Sequence, residues 1–243
     1  MIRLIQLRRS WGLPNVSPPC MKLETWLRMA DIPYVVAPLD IGNAPKGKIP
    51  YIIDKDGVRL GDSTFIIEHL AAQFGRDPDS GLTPGQRAIS IAFRRMMKEN
   101  FYWIIIQARY KDEHNWKVYR QLLMDQLDGV PQDHRPMVGD MYRQRMLGQM
   151  YGHGMGRHTA EEVYRIGIAD MRAVSDQLGD NPYLLGERPT TVDATVYAYL
   201  ANLMQTPMDC PARDFGLSRQ NLVSYCARMH ARFFPDLESP TRT

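Results

Sequence analysis

The spacing of hydrophobic positions changes once along this chain, and the change divides it in two. Before about residue 76 the apolar positions fall in short runs interrupted by one helical period. Ile2 to Leu7 alternates partly and predicts a short buried strand. Between Cys20 and Ala30, Leu23, Trp26, Leu27 and Ala30 recur at helical spacing, with Lys22, Glu24 and Arg28 assigned to the outer face. Asp31-Ile32-Pro33 stops this helix, and Tyr34-Val35-Val36 predicts a second strand. Two strands flanking one helix are expected to lie parallel in a right-handed βαβ unit. Past a loop containing Gly42, Pro45 and Gly47, Lys48 to Ile53 predicts a third strand, and Asp56-Gly57 turns it into a fourth, Val58 to Leu60. A proline at the front of a strand suits an edge or a bend, and the Ile49–Pro50 bond is a candidate for the cis form. Gly61-Asp62-Ser63 closes the hairpin. Thr64 to Phe74 then predicts a helix with Phe65, Ile66, Leu70 and Phe74 available to pack.

Gly75 to Gly85 is rich in turn formers and reads as a linker, after which strand signals disappear. Helical periodicity runs over roughly 85–109, 112–128, 136–151, 159–178, 191–205 and 218–233. Thr190-Thr191-Val192-Asp193 has the form of a capping box, and the apolar residues after it predict a buried helix. The expected organisation is α/β followed by all-α: a sheet-and-helix domain over 1–76, a linker over 77–84 and an all-helical domain over 85–243.

Composition narrows the class. The chain has 243 residues, 44% of them hydrophobic and 23% charged, which is ordinary globular usage and argues against disorder or a fibre. Its 30 basic residues are interspersed with 27 acidic ones, so no nucleic-acid partner is expected. No apolar run approaches a bilayer span, and no leader is expected ahead of Ile2. The scattered cysteines Cys20, Cys210 and Cys226 imply neither a disulfide framework nor structural zinc, so a reducing cytoplasm is the expected location and no metal is expected.

The chemistry centres on Ser17-Pro18-Pro19-Cys20, between the first strand and the first helix. The prolines fix φ and lack N–H groups, which suits a tight loop entering a helix. Ser17 and Cys20 therefore sit at the positive end of a helix dipole, where an anion or thiolate is favoured. The spacing is that of a C-x-x-C redox motif with its first sulfur replaced by a hydroxyl. Ser17 is a plain helix cap or an active-site donor, and Cys20 a buried structural thiol or a reactive one. His153 and His158 flank Arg157 in a glycine-rich loop, but their spacing makes them poor metal ligands.

The Ser-Pro-Pro-Cys loop, the Ile-Pro before the third strand and the Asp-Ser opening the next helix together resemble the N-terminal, thioredoxin-like domain of the glutathione S-transferase superfamily. The helical remainder resembles the superfamily's C-terminal domain. The segment from Ser17 to Ala30, with Gly154-Met155-Gly156-Arg157-His158-Thr159-Ala160-Glu161-Glu162-Val163 and Arg188-Pro189-Thr190-Thr191-Val192-Asp193-Ala194-Thr195, looks most like the failed-axon-connections and metaxin-like branch.

The resemblance implies a transferase that binds glutathione as co-substrate and joins it to, or uses it to reduce, a small apolar electrophile, working as a homodimer. It places Ser17 against the glutathione sulfur and pairs the backbone of Ile49, ahead of Pro50, with the cysteinyl unit. It puts Asp62 and Ser63 at the γ-glutamyl end, where they would otherwise be only a cap, and Lys48 near the glycyl carboxylate, where it would otherwise be only an exposed strand lysine. Trp11 and Leu13, from the long loop before Ser17, and Tyr102, Trp103 and Ile106 are candidates for the electrophile pocket. Two other functions stay open from sequence: a noncatalytic module that binds a peptide or protein partner, and a thiol oxidoreductase acting through Cys20.

Overall fold

The computed structural model describes residues 1–237. Its four strands, β1 (Ile2–Ile5), β2 (Tyr34–Ala37), β3 (Tyr51–Ile53) and β4 (Arg59–Gly61), form one sheet in the order β2-β1-β3-β4. β1 and β2 are parallel, joined through α1 (Pro18–Met29), while β3 runs antiparallel to both β1 and β4. β1 ends two residues earlier than its hydrophobic pattern predicts. Asn15 takes the Leu7 carbonyl at 2.7 Å, and Gln6 turns inward to Glu24 at 2.7 Å, so that stretch leaves the sheet. α2 (Ser63–Phe74) completes this half and ends on Gly75, whose φ of 62° is the left-handed conformation that suits glycine.

α1 begins at Pro18, two residues before the predicted start. Its outer face is also not where the periodicity assigns it: Lys22 is 2% exposed and Glu24 fully buried. Lys22 is covered at α2, where its Nζ donates to Thr64 Oγ1 at 3.1 Å, and Glu24 is enclosed by Gln6, Arg9 and Tyr34. α8 (Thr191–Met204), itself buried along its whole length, packs on α1 as well. Leu23, Trp26 and Leu27 join Ile2, Leu4, Ile52, Ile66 and Leu70 in the sheet core, whereas Met21 belongs to the helical core with Leu13 and Val16. Trp26 Nε1 donates to Thr191 Oγ1 at 3.3 Å, and Asp79 in the turn-rich segment accepts from Thr191 N–H at 2.7 Å.

The helical half opens with α3 (Pro84–Arg95), which Thr83 and Gln86 start with a reciprocal capping box. The same rod continues through a π-helical turn, Met96–Phe101, then α4 (Tyr102–Ile106) and a second π-helical stretch, Gln107–Lys111. α5 (Glu113–Asp125), α6 (Arg135–His153) and α7 (Ala160–Leu178) follow, and α8 fills the middle. At its start the expected capping box forms between Thr190 and Asp193, whose carboxylate accepts from Thr190 N–H at 2.8 Å and from the Thr190 hydroxyl at 3.0 Å. The segment predicted as 218–233 begins at Gln220 as α10 (Gln220–Phe233), preceded by an unpredicted helix, α9 (Pro211–Ser218). No helix is long and apolar enough to cross a membrane among the described residues.

Candidate functional site

Strand register brings the three sequence motifs to one end of the sheet. Ile5 pairs with Tyr51, and Tyr51 with Gly61, so the chain leaves β1 toward Ser17, enters β3 from Ile49–Pro50 and leaves β4 into Asp62-Ser63 at the same edge. Neighbouring strands lie about 4.8 Å apart, which puts the outer two about 10 Å from each other. An extended tripeptide is also about 10 Å long.

Ser17 is the residue ahead of the first turn of α1 and is half-buried. A capping serine accepts from the N–H of the second or third helical residue. Pro19 is the second and has no N–H, and the Ser17 side chain makes no capping hydrogen bond. Its backbone is fixed instead: Ser17 N–H donates to Asn15 Oδ1 at 3.0 Å, and the Ser17 carbonyl accepts from Met21 N–H at 2.9 Å. The loop before it is held from the helical half. Arg109 donates to the Val16 carbonyl at 2.6 Å and to Asn202 O and Oδ1 at 2.6 and 2.8 Å, and Asn202 Nδ2 donates to the Asn15 carbonyl at 3.1 Å. Sequence reasoning missed all three residues; a polar Arg and Asn in otherwise apolar helical stretches were the available signal.

Cys20 does not fit the reactive-thiol reading. It is fully buried, and desolvation pushes its thiol up to about 12 despite the Ser17 hydroxyl and the Leu7 amide, which favour the anion. At neutral pH it is a protonated core residue.

The Ile49–Pro50 bond is cis, and the ladder starts only at Tyr51, leaving the Ile49 backbone beyond it. Lys48 is exposed. Asp62 has φ of 74°, a conformation non-glycine residues rarely adopt. Its Oδ1 caps Thr64 N–H at 2.8 Å and its Oδ2 faces Lys98 Nζ at 3.5 Å, so its carboxyl is held below the ordinary range although burial opposes this. Ser63 is 5% exposed at the N-terminus of α2. Asp62 thus caps α2 and also stands at the same end of the sheet as the Ser17 loop.

The expected electrophile pocket divides. Leu13 and Ile106 are packed in the helical core and line no open surface. Trp11, held at φ 54°, sits against Tyr119 with ring centroids 6.2 Å apart, and Tyr102 and Trp103 are partly exposed, in edge contact at 5.2 Å. Trp103 also lies 4.8 Å from the exposed His153 ring. Sequence reasoning missed the phenols clustered behind them: Tyr110 donates to Tyr119 at 3.2 Å, and the Tyr142 ring lies 6.1 Å from Tyr110. His158 pairs with Glu162 at 3.4 Å, and no group of metal-ligating side chains occurs among the described residues.

Comparison with known proteins agrees with this geometry. The glutathione S-transferase N-terminal domain family matches residues 18–115, and the family's C-terminal domain matches residues 167–229. The isoprene-epoxide glutathione S-transferase of Rhodococcus sp. (strain AD45) is 34% identical over 92% of this chain and 95% of its own length. Failed axon connections of Drosophila melanogaster is 32% identical over 97% of this chain, which spans 59% of that longer protein. The fold is that of solved transferases: glutathione transferase F7 of Populus trichocarpa superposes with a TM-score of 0.60 over 95% of this chain and 94% of its own, at 14% identity. With a thioredoxin-like sheet whose motif loops share one edge, a helical second half and a transferase matched along nearly its whole length, this chain belongs to the glutathione S-transferase superfamily.

Proposed function

We propose that the protein binds glutathione across the sheet edge, activates its thiol at Ser17 and transfers it to a small apolar electrophile, with an epoxide as the favoured class. The observation that carries this reading is the Ser17 hydroxyl, half-buried at a helix N-terminus and making no capping bond. A hydroxyl donor and the positive end of α1 both favour a thiolate over a thiol. Ile49, beyond the ladder, offers its backbone to the cysteinyl unit as an added strand. Ser63 and the first amides of α2 suit the γ-glutamyl carboxylate. Lys48 serves the glycyl carboxylate. Trp11, Tyr102 and Trp103 form the apolar wall, and the epoxide class follows the named activity of the Rhodococcus relative.

The thiolate sulfur attacks an epoxide carbon, the S–C bond forms as the C–O bond breaks, and the resulting alkoxide takes a proton from solvent. The thiol proton leaves to solvent when glutathione binds, so the cycle is balanced without a redox partner. In this reading the protein works in the cytoplasm as a homodimer, the exposed Phe65 on α2 and Ile91 on α3 supplying apolar surface for a second copy. Sedimentation at micromolar concentration tests that part.

Glutathione at a hundred times its dissociation constant should stabilise the fold by about 2.7 kcal/mol. A thermal shift with millimolar glutathione, followed by thiol consumption on adding a small alkenyl epoxide, tests the proposal. No shift removes it. A shift without turnover on epoxides or chloro-aryl compounds favours a binding module for a peptide or protein partner.

A further inference from the structure

Lys22 stands on α1, 2% exposed, although the helical pattern assigns it to the outer face. Its Nζ donates to Thr64 Oγ1 at 3.1 Å in the first turn of α2. An ammonium carries three N–H donors, and no carboxylate lies within ion-pairing distance of this one among the described residues. The acid beside it, Asp62, is engaged by Thr64 N–H and by Lys98. Arg94 and Lys98 add positive charge from the long helix, against only Asp62 and the exposed Glu68 on α2. The surroundings of Ser63 are therefore cationic, at a helix end that is itself positive. A buried cation with no counter-anion is costly unless something supplies the anion.

Resting on the glutathione reading above, we infer that Lys22, backed by Lys98 and Arg94, is the charge that recognises the α-carboxylate of the γ-glutamyl unit at Ser63, and that it makes this carboxylate a condition of tight binding. Lys22 acts from behind Thr64, as a positioning and specificity residue. Burial and the two neighbouring cations lower its pKa to about 7, so the free site is partly neutral at physiological pH. A bound carboxylate favours the ammonium and draws a proton in. Binding is then coupled to proton uptake at Lys22, opposed by Arg94 and Lys98 and assisted by Asp62 and Glu68.

The test measures binding of glutathione and of 4-aminobutanoyl-cysteinylglycine, which is glutathione without its α-carboxylate, to wild type, Lys22→Met, Lys22→Gln and Lys22→Arg. Wild type should prefer glutathione by ten-fold or more. The Met and Gln variants should lose that preference by weakening glutathione alone, and Arg should retain it. Calorimetry with S-methylglutathione, which has no thiol proton to release, near pH 7.5 in buffers of different ionisation heat should show proton uptake by wild type and none by Lys22→Gln. Glutathione that fails to bind wild type overturns the glutathione reading itself. Glutathione that binds with no preference over the analogue, or a preference that survives in both neutral variants, overturns the role of Lys22 alone. Lys22→Gln keeps a donor for Thr64, so a failure of Lys22→Met to fold leaves the comparison intact.

Discussion

Arg109 donates to the carbonyl of Val16 at 2.6 Å, so a side chain from a π-helical stretch of the helical half fixes the residue just before Ser17. The guanidinium is 3% exposed, and its other end grips Asn202 of α8, whose amide holds the Asn15 carbonyl. The Ser17 loop is thus set by the second half of the chain. Arg109→Met leaves the Val16 and Asn202 carbonyls without their charged donor, and a hydrogen bond to a charged group contributes about 1.5–3 kcal/mol. The expected result is a fall of at least ten-fold in kcat/KM, about 1.4 kcal/mol in the transition state, with a raised pKa for the bound glutathione thiol in ultraviolet titration. Arg109→Lys should recover part of both. Unchanged thiol titration in a folded Arg109→Met variant would show that the clamp only stabilises the fold.

Ser17→Ala separates a cap from an active-site donor. Replacing a capping serine costs about 1 kcal/mol of stability, but the Ser17 side chain makes no capping bond. Stability should stay within about 0.5 kcal/mol of wild type, while turnover falls ten-fold or more and its pH profile moves to higher pH. Urea unfolding and initial rates check this. A loss of stability with unchanged rates would assign Ser17 to the cap.

The motifs were legible in the sequence because each depends on a local rule. Prolines ahead of α1, Ile-Pro ahead of β3 and Asp-Ser ahead of α2 are read without knowing what packs on them, and register alone then brings them together. What was not legible depends on partners far along the chain. Lys22 and Glu24 look like solvent-facing residues of a two-sided helix until α2 takes up Lys22 and the stretch after β1, with β2, takes up Glu24. Glu24 is satisfied by Gln6 and Arg9 from the stretch after β1 and by Tyr34 of β2. Leu13 and Ile106 have the apolar character of a pocket wall, but the same character draws them into the core. α9 escaped notice because its eight residues, Pro211–Ser218, are few for a periodicity reading, and its packing relies on Gly216, where an added Cβ would fall 2.2 Å from Met171 Cε.

Cys20→Ala should leave transferase turnover within about two-fold of wild type and lower stability by about 1 kcal/mol, the transfer and cavity cost of one small buried group. The thiol is buried and protonated at neutral pH, so it contributes no nucleophile. Disulfide-exchange assays on the same variant should show no activity to lose. Abolished turnover in folded Cys20→Ala would reinstate the sulfur as a participant.

Lys22 also gives the unliganded protein a pH dependence of defined sign. Its pKa is lowered to about 7 in the folded state from an ordinary value of 10.5, chiefly by burial and then by Arg94 and Lys98. Between those values the unfolded chain binds a proton that the folded chain has released, so Lys22 makes stability rise with pH. Below about pH 7 both states hold the proton and the fold carries the full cost of the buried ammonium. Lys22→Met should therefore be more stable than wild type near pH 6.5, and its advantage should shrink by on the order of 2–3 kcal/mol by about pH 9. Urea unfolding of both proteins across that range, without glutathione, is the measurement. Curves that stay parallel would mean Lys22 remains protonated throughout, with an anion already in place to hold it.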